Sequence, residues 1–83
     1  VHITVRLFAG AREAAGTGTT RLDLPPGATA GDALAALVRQ HPNLARIAAI
    51  SRLAVDGEYV SPDAPLAEGA ELAVLPPVSG GEE

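Results

Sequence analysis

The chain has 83 residues, enough for one small domain, which hides only about 60–65% of the surface that its unfolded form exposes. It contains no cysteine and no methionine, which excludes disulfides, thiolate metal sites and a cysteine nucleophile within these residues. The net charge is −4, the six basic residues are scattered arginines and the only aromatics are Phe8 and Tyr59; nucleic-acid binding is therefore not expected, and no apolar run approaches the ~20 residues that span a bilayer.

Residues 2–8 alternate, with Ile3, Val5 and Leu7 on one side and His2, Thr4, Arg6 and Phe8 on the other, the period of a half-buried strand. Residues 11–16, AREAAG, predict a single helical turn ending at Gly16. Alternation returns in 19–24, with Leu22 and Leu24 inward, until Pro25-Pro26-Gly27 stops it. Thr29 then caps a helix, with Asp32 in the position of a capping-box partner. Ala30, Ala33, Leu34, Leu37 and Val38 form its buried stripe, and Pro42 ends it at His41. Leu44, Ile47 and Ile50 suggest a short turn or 3₁₀ piece. Asp56-Gly57 between RLAV (52–55) and EYV (58–60) is a hairpin signal, because a type I′ turn needs φ > 0 at both positions. Residues 61–70 read as loop, 71–75 as the last strand, and 76–83 show no periodicity.

The order β-β-α-β-β-β with short connections predicts an α+β fold: a mixed sheet with one main helix packed on one face. That is the β-grasp, or ubiquitin-like, roll, with the first and last strands parallel neighbours at the centre. The pattern assigns residues 1–76 to this domain and 77–83 to a flexible C-terminal tail carrying Gly80-Gly81.

Side-chain chemistry is sparse. His2 sits at a chain end and His41 at a helix end, without the further ligands that a metal site needs. Ser51, Ser61 and Ser79 have no nucleophile elbow, and Asp23, Asp32, Asp56 and Asp63 are explained by caps, turns or an exposed face. No metal or cofactor is expected to be bound. The tail remains. Two glycines let a backbone enter a narrow slot, and Pro76-Pro77 stiffen its exit from the sheet. The bland alternative is a frayed chain end.

LFAGAREAAG at 7–16 and LAVLPPVSGG at 72–81, with PPGAT, VDGEYV and PLAEGAELAVLPP between them, resemble the small, sulfur-carrying subunit of molybdopterin synthase. The chain is thus similar along its whole length to the MoaD–ThiS family of sulfur carriers. The resemblance implies a cytoplasmic protein that needs no catalytic side chain of its own. Gly81 would carry the reacting carboxylate, with Gly80 beside it. An E1-like (MoeB-like) enzyme would adenylate Gly81 with ATP, and the acyl adenylate would become a thiocarboxylate. The tail would then enter a MoaE-like large subunit, where sulfur passes to cyclic pyranopterin monophosphate in molybdenum cofactor biosynthesis. Carriers serving thiamine, cysteine or tRNA thiolation, and a ubiquitin-like binding or modifier module without sulfur, are the alternatives. The sequence departs from the family in one respect: Glu82-Glu83 follow Gly81. Either a protease removes them, or the chain is the front of a fusion with the large subunit, or they are foreign to the tail, or this homologue carries no sulfur.

Alternation also places a partner surface. Phe8 and Leu75 face away from the helix on parallel neighbours, so with Pro76, Pro77, Val78 and Ser79 they are expected to form the docking patch at the tail's exit. The alternative is that a loop covers Phe8.

Overall fold

The computed structural model describes residues 1–77. In chain order the elements are β1 (His2–Leu7), α1 (Ala9–Ala15), β2 (Thr19–Asp23), α2 (Ala30–Gln40), a 3₁₀ turn (Pro42–Leu44), α3 (Ala45–Ala49), β3 (Arg52–Val55), β4 (Glu58–Val60) and β5 (Glu71–Leu75). They form one five-stranded sheet in the order β2-β1-β5-β3-β4. β1 and β5 are parallel, with Val5 opposite Leu72 and Leu7 opposite Val74; the other three pairings are antiparallel.

One face of the sheet carries the core. Ile3, Val5 and Leu7 of β1 and Leu72 and Val74 of β5 are buried, as are Leu22 and Leu53 on the flanking strands. They pack with Ala30, Ala33 and Leu37 of α2 and with Leu44. Small alanines on the helix let it lie close over the branched residues of the strands, which is how a chain nearly without aromatics fills its interior.

Local chemistry explains the element boundaries. The Thr29 hydroxyl accepts the Asp32 N–H at 3.1 Å, and the Asp32 carboxylate accepts the Thr29 N–H at 2.9 Å, so the shorter acid closes a full capping box. Asp56 and Gly57 have φ of 49° and 89°, the two positive values that a type I′ hairpin requires. Two expectations need correction. α1 runs two turns from Ala9 rather than one turn from Ala11, because the Phe8 carbonyl accepts the N–H groups of Ala11 and Arg12 and starts the helix early. Residues 42–50 form a 3₁₀ turn followed by a short α-helix, in which Leu44 is buried while Ile50 stays 60% exposed.

Candidate docking face and tail exit

The helices cover one side of the sheet and leave the other bare. Strand pairing fixes what that side presents: Arg6 lies opposite Ala73, Ala73 opposite Ala54, and Ala54 opposite Tyr59. Phe8 continues the alternation of β1 onto this side, and Leu75 that of β5. Both line one shallow concavity of about 350 Å³, together with Arg6, Ala54, Tyr59, Glu71 and Ala73. Its lining combines the apolar side chains of Phe8, Tyr59 and Leu75 and two alanines with the charged pair Arg6 and Glu71.

Phe8 is 40% exposed, so no loop hides it. Leu75 and Pro76 are half-buried and Pro77 is exposed. The structure thus brings Phe8 and Leu75 together at the point where the chain leaves the sheet. Val78, Ser79, Gly80 and Gly81, and with them Glu82 and Glu83, lie outside the described residues.

Charge on this face is organised. The Arg6 guanidinium meets the Glu71 carboxylate at 3.3 Å. Arg52 lies over the Tyr59 ring, 5.4 Å from its centroid. Sequence reasoning missed both pairings and gave Tyr59 no place on the face. The signal was present: the Asp56-Gly57 turn fixes the hairpin register, which puts Tyr59 diagonal to Arg52 on one side. Asp56 also ties this hairpin to β5, its carboxylate accepting the Glu71 N–H at 3.0 Å.

Other polar groups are structural. His2, at the opposite end of β1, lies between Asp23 and Glu68, with ring nitrogens 3.6 and 3.3 Å from the two carboxylates. The His2 backbone N–H donates to Glu68 at 3.0 Å and holds that carboxyl below the usual glutamate range, with the His2 ring adding to the effect. The Ser61 hydroxyl donates to Asp63 and lowers that carboxyl in the same way. No helix among the described residues is long and apolar enough to cross a membrane.

A parallel β1–β5 pair at the centre of a mixed five-stranded sheet, with one main helix across a single face, defines a protein of the ubiquitin-like β-grasp class. Residues 5–81 match the ThiS family, and the chain belongs to that family. The molybdopterin synthase sulfur carrier subunit of Arabidopsis thaliana is 40% identical over 81 residues, 98% of this chain and 84% of that protein. Small archaeal modifier protein 1 of Haloferax volcanii is 43% identical over 84 residues, covering 92% of this chain and 97% of that one. The crystal structure of SAMP1 from the same organism superposes with a TM-score of 0.90 at 39% identity, over 98% of this chain and 100% of that one. The fold also resembles a chain in a complex of subunits 1 and 2 of molybdopterin-converting factor from Helicobacter pylori, with a TM-score of 0.71, 20% identity and coverage of 98% and 100%.

Proposed function

We propose that this chain is a sulfur carrier that serves molybdopterin synthesis, with Gly81 as the reacting residue. The observation that carries the reading is Gly80-Gly81 placed a few residues beyond a strand end whose neighbours, Phe8 and Leu75, form an apolar patch. Two sets of relatives support it: sulfur carrier subunits of molybdopterin synthase, and a fold neighbour found in complex with a second subunit.

The mechanism assigns no catalytic group to the domain. A carboxylate resists attack by a sulfur nucleophile because its oxygen is a poor leaving group. The Gly81 carboxylate attacks the α-phosphorus of ATP on a partner activating enzyme, pyrophosphate leaves, and an acyl adenylate forms. Hydrosulfide, HS⁻, then attacks the acyl carbon, AMP departs with the electron pair of the broken C–O bond, and loss of the remaining S–H proton leaves a thiocarboxylate. The domain's part is to dock, first on the activating enzyme and then on a large subunit, through Phe8, Leu75 and the segment Pro76–Ser79. Because both partners read one face, the two complexes are mutually exclusive; their order follows from the chemistry, since transfer needs a thiocarboxylate already formed. The domain over 1–76 and the tail over 77–83 divide these tasks. Glu82 and Glu83 must come off first, by a tail-processing protease, since Gly81 within a chain has no free carboxylate.

Small archaeal modifier protein 1 favours a second reading. An activated Gly81 acyl group is equally open to an amine, and the chain would then modify proteins instead of carrying sulfur.

Intact mass of the protein from its native cell tests these readings. A sulfur carrier yields a chain ending at Gly81, with a fraction 16 Da heavier, about the mass difference between sulfur and oxygen in a carboxyl group. A full-length chain that accepts sulfur with Glu82 and Glu83 in place sinks the maturation step. Gly81 found only in amide linkage to other proteins favours the modifier.

A further inference from the structure

Two arginines stand on the bare face near the root of the tail, and their charges are met differently. Arg6 is neutralised by Glu71 at 3.3 Å. Arg52 is exposed and, among the described residues, forms no ion pair with a carboxylate. It is nonetheless held, because its guanidinium lies 5.4 Å from the Tyr59 ring centroid. Stacking on an aromatic face leaves the rim of the guanidinium, with its N–H donors, open to a second partner.

Register places this cation at the exit. Arg52 is the strand partner of Leu75, the last residue of β5 before Pro76-Pro77. Arg52 does not line the concavity itself; it adjoins two residues that do, Leu75 across the strand pair and Tyr59 beneath its guanidinium, in a chain whose net charge is −4. Arg52 is offered as a docking group, not as a group in the chemistry at Gly81.

We infer that Arg52 determines partner choice and docking register by pairing with an acidic side chain, Asp or Glu, where the partner's surface borders Leu75. This rests on the docking reading proposed above. An apolar patch alone tolerates several orientations. A cation beside Leu75 that has no acidic partner among the described residues reduces that freedom, since rotating the partner would part its carboxylate from Arg52.

The test measures association and dissociation of the full chain with the proposed large subunit at two ionic strengths. R52Q is expected to weaken binding about threefold and R52E about tenfold, with most of the loss in the association rate and a flatter salt dependence. R52K retains the salt dependence of the wild type. Wild-type binding, with R52Q and R52E matching it in rate and salt dependence, overturns the role of Arg52 alone. A wild type that binds neither the large subunit nor the activating enzyme overturns the docking reading and this inference with it. A lower melting temperature with an unchanged salt slope marks a structural residue and also overturns it.

Discussion

Gly31 and Pro62 meet backbone to backbone: the Gly31 N–H donates to the Pro62 carbonyl at 2.7 Å, and a Cβ at Gly31 would stand 3.0 Å from that same oxygen. The loop cannot easily retreat, because the Ala30 N–H is bound to the Ala64 carbonyl at 2.9 Å and Thr29 bridges to Pro65. Gly31→Ala is therefore predicted to lower stability by about 1 kcal/mol, although alanine is the better helix former by a similar amount. Urea unfolding checks it; a variant as stable as the parent removes the claim.

Ala9 opens α1 with φ at 50°, in the left-handed region. A Cβ there costs roughly 1 kcal/mol, and glycine escapes that cost. Ala9→Gly is expected to be neutral or stabilising, against the usual effect of glycine in a helix. Ala9→Val is expected to lose about 1–2 kcal/mol, because a β-branched residue suits this conformation least. Thermal unfolding of the pair decides the matter, and equal losses in both variants would show that the backbone there is unstrained.

The patch makes its own prediction. Leu75→Asp places a charge in the proposed interface and should weaken binding to the large subunit by about thirtyfold or more. Leu75 is half-buried, so Phe8→Ser, at a residue 40% exposed, serves as a second variant whose fold is safer. Calorimetry with folded proteins reads the result. Unchanged affinity in both variants eliminates this face as the docking site.

Glu68 gives a pH signature. Its folded carboxyl lies below the ordinary value, chiefly through the His2 N–H. Its contribution to stability is therefore complete above the unfolded value of about 4.3 and is lost as pH falls through the lowered folded value. The wild type should lose more stability than Glu68→Gln between about pH 5 and pH 3. Parallel acid-unfolding curves would count against it. The side chain is exposed, so the difference is small.

The fold was legible because each boundary carries its own chemical mark. Thr29 with Asp32 announces the start of α2, Pro42 its end, and Asp56-Gly57 the hairpin. Strand alternation then put Phe8 and Leu75 on one side without any knowledge of tertiary contacts. Two features escaped for different reasons. The early start of α1 is local: Phe8, which periodicity assigns to β1, accepts the N–H groups of Ala11 and Arg12. The pairing of Arg6 with Glu71 spans most of the chain and needs the parallel register. Arg52 over Tyr59 needed only the hairpin register, and that inference was within reach of the sequence.

The central position of β5 has a bearing on timing. This strand is synthesised last and completes the sheet by entering between β1, from the first few residues, and β3. Its insertion closes the contacts of greatest sequence separation, the slowest kind to form. A partly made or partly unfolded chain cannot align Phe8 with Leu75, however complete its hairpin and helices are. An activating enzyme that docks on both residues would thereby test the whole domain before spending ATP on its end, and a truncated or misfolded chain would fail inspection without any dedicated sensor.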